Sequence, residues 1–414
     1  MPLRRRPLLL GLGALGALGA GGAALWASFR GGSDPMIRVR AAAARLLPPG
    51  VELDADAMSE GLEGVVLEGL RLSGGDTEGR VTRAVLREDA LRLEGVELSG
   101  GGGMLAMRML LLSGIDWERG LVRLGEAEEV TIVGAGRLGG VSAARARLLG
   151  WSTWVPTRVE IDRVRLVVRG GPMAGLDVSA ASAVLSLDPG AAGEGGLGAR
   201  WIRAFSAASL REVLGTVAGQ PASAGALDVR LVARDASGDA AGVELRATAL
   251  DLGGAVVPWR EALLYARMEA EASLRAIRNQ DGGWRAEAAF SWPLAGSGEA
   301  TLEGSGASGI WPDLSTLRWR RLSASWQDAG LVRRLVEQRR AGRSIAEAAA
   351  EIAARFHGSK LLEGVVLARL DLERWLEKPG VVRIEMTGEG PARDLGRIID
   401  LERPSGASVR LTLR

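Results

Sequence analysis

Apolar and polar residues alternate with a period of two along much of the chain, a pattern typical of strands with one dry face and one wet face. The clearest runs lie at 65–72, 91–98, 159–168, 227–231 and 284–292. Inside the first three runs the phase shifts by one residue, at a glycine or an aspartate. Such shifts predict β-bulges, which twist and curve a sheet.

Short repeats accompany the alternation. LEGLRLSGG at 67–75 and LEGVELSGG at 93–101 match at seven of nine positions, and LEGVVL occurs at 62–67 and again at 362–367. The first pair indicates successive strands of one sheet. The alternative is that a biased composition produces short matches by chance.

Helical spacing appears at few places. It predicts a short helix near 36–46 and another over 201–217, where Trp201, Phe205, Val213 and Val217 can share a face. Late in the chain, 329–341 and 344–356 are predicted to form a helical hairpin that breaks at Gly342.

A capping box of Ser344 and Glu347 opens the second helix of that hairpin. A last helix is predicted at 371–377. The C-terminus then follows as a strand (381–387), a short helix (391–400) and a strand (407–413).

These elements predict an α+β fold that is predominantly β. Its main part is a long curled antiparallel sheet, groove-like, with a few late helices. The predicted regions are 1–35, a signal or transmembrane anchor; 36–200, β-rich and repeat-like; 201–327, β-rich and opened by a helix; and 328–414, the helical hairpin with a β/α closure.

The N-terminus has the pattern of an export signal or an anchor. Arg4, Arg5 and Arg6 precede 22 uncharged residues, 7–28. As a helix this segment reaches about 33 Å, enough to span the hydrocarbon of a bilayer. A retained anchor is the favoured interpretation, with a cleaved signal peptide or a buried helix as alternatives. Positive charge before the segment places the body outside the cytoplasm, which predicts an inner-membrane protein with a periplasmic body.

Composition excludes several kinds of chemistry. The chain has no Cys and a single His, His357, which rules out cysteine nucleophiles, disulfides, thiolate zinc sites and a two-histidine metal site. Arg supplies 50 of the 52 basic residues, a bias expected of a GC-rich genome. Without residues 1–35 the chain has 48 basic and 49 acidic residues, so the body lacks the basic excess typical of nucleic-acid binding.

One motif resembles a dinucleotide site. Gly134, Gly136 and Gly139 fit GxGxxG after an apolar run, 141–149 would be the following helix, and Glu160 or Asp162 would bind a ribose. The surrounding pattern is that of a meander, without further β-α-β alternation. A glycine-rich bend between strands is therefore favoured over a cofactor site.

Two other groups of residues suggest contacts. Five arginines form a basic cluster that suits anionic lipid or a partner, with a solvated helix face as the alternative: Arg333, Arg334, Arg339, Arg340 and Arg343. The 12 Trp are scattered, and five of them crowd the later half: Trp284, Trp292, Trp311, Trp319 and Trp326. Core packing is the favoured interpretation, and an apolar groove lined by some of them remains open. His357 suits the C-terminal end of a helix, where the helix dipole favours it, better than a catalytic role.

The layout of the chain resembles that of the AsmA-like envelope proteins of Gram-negative bacteria. It consists of a basic N-terminus, an apolar segment, a short helix and then the stretches LEGVVLEGLRLSG and LRLEGVELSG. RWLEKPGVVRIEMTGEGP (374–391) resembles the close of uncharacterised alphaproteobacterial proteins of similar build. The resemblance implies an inner-membrane anchor and a periplasmic sheet with an apolar groove, associated with lipid movement or outer-membrane assembly. It implies no catalytic residues.

The sequence therefore favours a non-enzymatic envelope protein without a cofactor or metal. Its β-rich body would offer an apolar face to lipid or to another envelope protein. Two alternatives remain open at this point: an exported dinucleotide-dependent oxidoreductase that uses residues 134–139, and a structural scaffold of the envelope.

Overall fold

A computed structural model describes residues 52–414, apart from 63, 75–76, 88, 101–102, 117–120, 135–137, 153–154, 169–176, 193–202, 218–219, 235–239, 252–268, 280–281, 307–316, 364, 366–368, 393, 396–402 and 405. The apolar segment 7–28, the helix expected near 36–46 and residues 396–400 of the expected C-terminal helix lie outside this part.

The described chain divides into two compact units, Met1–Gly219 and Gln220–Arg414. The strands of the first unit are β1 (Glu52–Asp54), β2 (Ala57–Gly61), β3 (Gly64–Gly74), β4 (Thr77–Leu86), β5 (Ala90–Gly100), β6 (Gly103–Asp116), β7 (Leu121–Val133), β8 (Leu138–Ser152), β9 (Val155–Val168), β10 (Asp177–Leu187) and β11 (Phe205–Val217). A 3-10 turn, Pro189–Ala191, follows β10.

The second unit holds the remaining strands and three α-helices. These are β12 (Gln220–Arg234), β13 (Ala240–Leu250), β14 (Ala270–Arg278), β15 (Gly283–Trp292), β16 (Gly296–Ser305), β17 (Arg318–Asp328), α1 (Leu331–Arg339), α2 (Ile345–His357), α3 (Arg369–Glu377), β18 (Val381–Pro391) and β19 (Ser408–Leu413).

In each unit the strands form an open antiparallel sheet whose order follows the chain. In the first unit, β1 and β2 both pair with β3, and pairing then runs from β3 to β11. In the second, pairing runs from β12 to β19. The predicted fold class, predominantly β with an antiparallel sheet and late helices, is confirmed, as are the five strands expected from the clearest alternation.

The first unit buries one face of its sheet. Val81, Val96 and Leu110 are each at most 2% exposed and belong to a single apolar cluster that draws on strands β1 to β7. The opposite face carries cross-strand pairs of opposite charge, such as Glu68 with Arg83 in the register of β3 and β4. Alternation thus decides which face is dry, and the charge pairs support the register.

A line of unusual backbone crosses the first sheet where the alternation shifts phase. Gly69 in β3 and Gly95 in β5 have φ values of +60° and +59°. The same line continues through three residues that are not glycine, Glu129 in β7, Arg163 in β9 and Glu212 in β11, with φ values of +50° to +51°. Left-handed backbone thus recurs in every second strand.

The predicted bulges at Gly69 and Gly95 are wrong. On both sides of Gly69 the register stays the same, because Glu68 faces Arg83 and Leu70 faces Val81. Both strands of each pair shift phase at the same place, so neither strand carries an extra residue and the apolar face remains apolar across the line. Register shifts lie elsewhere, for example between Glu303 and Gly304.

Side-chain sizes are complementary along this line. A Cβ on Gly95 would lie 2.3 Å from Thr82 Oγ1, and one on Gly69 would meet the carboxylate of Asp56. At Arg163, where the left-handed residue has a side chain, the register of the flanking pairs places alanine on both sides, Ala144 and Ala181. At these three positions one residue of the pair therefore makes room for the other.

The helices α1, α2 and α3 agree with the sequence, whereas the helix predicted at 201–217 is wrong. Residues 205–217 form β11, in which Leu210 and Val213 pair with Ala183 and Ala180 of β10. The phase shift at Glu212 sets these two apolar residues three positions apart. Spacing of three is also a helical signal, so the sequence pattern was ambiguous here.

Candidate functional site

The second unit presents a continuous apolar sheet face. Three adjacent rows of paired residues cross all eight strands, β12 to β19, without a polar side chain. The rows are Leu227, Ala247, Ala272, Phe290, Gly298, Trp326, Val382, Leu413; Val229, Leu245, Leu274, Ala288, Ala300, Ala324, Ile384, Leu411; and Leu231, Val243, Ala276, Ala286, Leu302, Leu322, Met386, Val409. We call this surface the apolar face of the second unit.

Burial differs along this face. Met386 in β18 is fully buried, but towards the middle of the sheet Leu274 in β14 is 37% exposed and Ala288 in β15 is exposed. Most other members are half-buried. The apolar cluster of the first unit, by contrast, is almost completely dry. The face over β14 and β15 is therefore accessible apolar surface.

Tryptophan rings cover glycines of the neighbouring strand at three places. A Cβ on Gly298 would lie 3.0 Å from Trp326, one on Gly304 would lie 2.8 Å from Trp284, and one on Gly388 would lie 2.7 Å from Trp319. Each ring thus packs directly on exposed backbone. The result is a surface built from ring faces, alanine and glycine. The sequence feature behind this packing is a Trp in one strand opposite a Gly in the next strand. Alternation within a single strand does not reveal such pairs.

Helices close one end of the apolar face. Leu413, at the end of β19, packs against the helical core of Val336, Ala349 and Leu372. Beside it, Trp319 and Met386 form a second buried cluster. Helical side chains thus cover the face at Leu413, and the cluster around Trp319 buries it at Met386.

The helical hairpin is held by two caps. Asp328 accepts hydrogen bonds from the backbone N–H groups of Gly330 (2.9 Å) and Val332 (2.8 Å) at the start of α1. At the start of α2, the predicted capping box is confirmed, with Glu347 N–H donating to Ser344 Oγ at 3.2 Å and Ser344 N–H donating to Glu347 at 2.8 Å. These bonds satisfy N–H groups that a helix leaves unpaired.

Replacing Ser344 with alanine is expected to destabilise α2 by about 1 kcal/mol at neutral pH. Hydrogen bonds from the Ser344 backbone and hydroxyl lower the pKa of Glu347 below 4.5. The part of the stabilisation that comes from hydrogen bonds to the Glu347 carboxylate is complete above pH 4.5 and is lost as pH falls through the lowered pKa. Hydrogen exchange of the α2 amides should show less protection in S344A than in wild type at about pH 7, and a smaller difference well below the ordinary glutamate pKa, where only the bond from the Glu347 N–H to Ser344 Oγ still distinguishes the two. Ser344→Thr keeps the cap and is the control; equal protection in wild type and S344A at neutral pH would contradict the prediction.

The opposite face of the second sheet is polar. In β15, Arg285 lies 2.9 Å from the carboxylate of Glu287 and 3.3 Å from that of Glu303. In β17 and β18, Arg318 and Glu389 pair at 3.1 Å. The two faces of the sheet thus differ sharply in chemistry, and apolar ligands could contact one of them.

The glycine motif at 134–139 does not open a helix. Residues 141–149 lie in β8, where Val141 and Leu148 pair with Leu166 and Val159. Gly136 lies outside the described residues. Glu160 projects from β9 and pairs with Arg158 at 2.8 Å. The helix expected for the dinucleotide alternative is wrong: the phase shift at Ala144 produced its apparent helical spacing.

The five arginines of the helical hairpin do not act as one cluster. Arg333 pairs with Glu337 at 3.1 Å. Arg343 pairs with Glu351 of α2 at 2.8 Å and donates a 3.1 Å hydrogen bond to the backbone carbonyl of Arg339 in α1. It therefore connects the two helices. Arg339 and Arg340 are exposed at the turn. Arg334 also has a polar partner. Much of this charge therefore stabilises the hairpin itself.

Two depressions on the first unit combine charges of both signs. One, of about 930 Å³, is lined by residues that include Arg71, Arg80 and Glu97. The other, of about 570 Å³, follows the line of left-handed backbone, where Arg108 pairs with Glu129 at 3.0 Å. Neither has the single-sign charge that would select one class of ion. His357 is exposed at the end of α2, as expected for a residue near the C-terminal dipole.

Searches of the chain against protein-family models and against curated proteins find no match. Within the described residues, no helix has the length and apolar character needed to cross a membrane. In the same residues there is no group of three acidic or histidine side chains placed to hold a metal ion.

Proposed function

We propose that this chain is a non-enzymatic envelope protein whose β-rich body binds lipid through the apolar face of the second unit. The observation that carries the proposal is the accessible stretch of that face over β14 and β15, where Leu274 and Ala288 meet solvent. Contiguous exposed apolar surface is costly in water and is typical of ligand or partner sites. The resemblance to AsmA-like proteins agrees with this interpretation.

The lining of the face suits acyl chains. Small residues such as Ala272, Ala288 and Ala300 leave room above the sheet, and indole rings at Trp284 and Trp326 offer broad apolar contact. A hydrocarbon chain has no hydrogen-bonding groups, so a floor without polar side chains binds it without leaving donors or acceptors unpaired.

The proposed location is the inner membrane, with the body in the periplasm. The support is residues 4–28, whose arginines and uncharged segment fit an anchor oriented with its body outside the cytoplasm. A reporter enzyme that works only in the periplasm should be active when it is fused after residue 36, and one that works only in the cytoplasm should be inactive there. Cytoplasmic activity would contradict the proposed location.

Two neighbouring alanines test the lipid proposal. Ala288 and Ala289 are both exposed in β15, but Ala288 lies on the apolar face and Ala289 is paired with Ser273 and Glu299 on the polar face. We expect Ala288→Asp to lower the amount of lipid that copurifies with the full chain by about tenfold or more. The reason is that removing a carboxylate from water and placing it against hydrocarbon has a high free-energy cost. Ala289→Asp should leave it unchanged.

The measurement is native mass spectrometry of the full chain after gentle detergent extraction, with bound lipid quantified against protein. Wild-type protein free of lipid would contradict the proposal. Equal lipid on both variants would also contradict it, since the lipid would then bind elsewhere. Circular dichroism of each variant reports whether the strands remain folded.

A further inference from the structure

One row beyond the three rows of the apolar face, β14 carries a charged residue, Arg278. The positions of β13 to β16 in register with these rows, and with one further row at each end, are Ala241, Val243, Leu245, Ala247 and Leu250 in β13; Ala270, Ala272, Leu274, Ala276 and Arg278 in β14; Trp284, Ala286, Ala288, Phe290 and Trp292 in β15; and Gly296, Gly298, Ala300, Leu302 and Gly304 in β16. A single cation at the end of such a surface is unusual, because charge is normally kept on the polar face.

Arg278 lies at the edge of the face. It is the last residue of β14, it is half-buried, and it pairs in register with Trp284 of β15. Trp284 donates a 3.1 Å hydrogen bond from Nε1 to the carbonyl of Ser305, and its ring covers Gly304. The indole that faces Arg278 is therefore held in place. Arg278 makes a further contact of its own, and a guanidinium has five N–H donors, enough to serve an anion as well.

The accessible apolar surface runs from this arginine along β14. From Arg278 to Ala272 the strand extends about 20 Å at roughly 3.4 Å per residue. Leu274 and Ala288, the accessible members of the face, lie on this path. This path therefore begins at one cationic side chain and continues over apolar side chains only.

We propose that this surface binds an amphiphile with one anionic head and a long acyl chain. The carboxylate or phosphate of the head would accept hydrogen bonds from Arg278, and the chain would lie over Ala276, Leu274 and Ala288. The proposal rests on the lipid-binding function proposed above and assigns to it a class of ligand and an orientation. Free fatty acids and anionic phospholipids share this chemistry.

Photolabelling of the full chain in phosphatidylcholine vesicles tests the proposal. The probes are palmitic acid with a diazirine in its chain, the corresponding alcohol, and phosphatidylglycerol with a diazirine in one acyl chain. The variants are Arg278→Gln and, as a matched control, Arg275→Gln, since Arg275 lies in the same strand on the polar face. Labelled peptides from β14 to β16 are quantified by mass spectrometry.

Loss of a charge-assisted hydrogen bond should reduce labelling of R278Q by an anionic probe about tenfold. Labelling by the alcohol should be unchanged in R278Q, and R275Q should behave as wild type with every probe. Dependence on Arg278 for palmitic acid or for phosphatidylglycerol supports the proposal and shows which source the site accepts.

Two results would overturn the proposal, and they can be told apart. Equal labelling of wild type and R278Q by both anionic probes would remove the role of Arg278 while leaving lipid binding by the face intact. Absence of labelling of β14 to β16 by all three probes, the neutral alcohol included, would overturn the proposed function itself.

Discussion

Replacing Trp319 with alanine is expected to lower the free energy of unfolding of the second unit by about 3–5 kcal/mol, the usual cost of emptying a buried tryptophan site. Trp319 is completely buried, and its ring contacts the backbone of Gly388 and Gly390 in β18. It also belongs to the cluster with Met386 that covers the end of the apolar face. Removing the ring leaves these glycines without a side chain to pack against.

Trp319→Phe is the informative comparison. The indole N–H of Trp319 is buried and has no hydrogen-bond partner among the described residues. An unpaired buried donor costs about 1–3 kcal/mol, so phenylalanine loses ring volume but removes that penalty. We therefore expect W319F to be much milder than W319A. Hydrogen exchange of the β17 and β18 amides measures both. Similar losses of protection in the two variants would contradict this account of the site.

A side chain introduced at Gly95 should destabilise the first unit by about 2–4 kcal/mol, because left-handed backbone and a steric clash add together. Gly95 has a φ of +59°, and a Cβ there would lie 2.3 Å from Thr82 Oγ1. Asparagine tolerates left-handed backbone better than other residues, so Gly95→Asn isolates the clash. Chemical denaturation followed by circular dichroism gives the magnitude.

The size complementarity of the line supplies a matched rescue. Thr82→Ala removes the atom that the new side chain would strike, so the double variant T82A/G95N should recover about 1 kcal/mol or more relative to the sum of the single variants. Gly282→Asn is the control for backbone alone, since Gly282 has a φ of +79° and a Cβ added there would have no atom within 4 Å. If G282N costs as much as G95N, the clash with Thr82 is not the cause.

The alternation of apolar and polar residues predicted the strands where it is regular, but it did not predict the structure where its phase shifts. Regular alternation at 65–72 and 284–292 predicted strands correctly, since burial of one face is a local demand on sequence. At Glu212 and Ala144 the phase shift produced a spacing of three, and helices were predicted where β11 and β8 lie. A phase shift within a strand and a turn of helix both place apolar residues three positions apart, so a short stretch of sequence does not distinguish them.

The candidate site was the least predictable feature. The alanines of β14 to β16 carry little signal individually, and Arg278 looks like one more arginine in an arginine-rich chain. The GxGxxG motif carried a strong signal, and yet its last glycine, Gly139, lies within strand β8. The arginines of the hairpin were grouped by sequence proximity, whereas Arg343 serves the contact between α1 and α2.

The sequence by itself determined that most of the chain forms strands with one apolar face, and that a capped helical hairpin follows late, because these features depend on residues close together in the chain. Only the tertiary structure decided which strands share a row. Pairing assembled the apolar face of the second unit from eight strands and set Trp284 beside Arg278 and Trp319 over Gly388. These neighbours lie from six to about seventy residues apart, and cross-strand register, which no single strand encodes, brings them together.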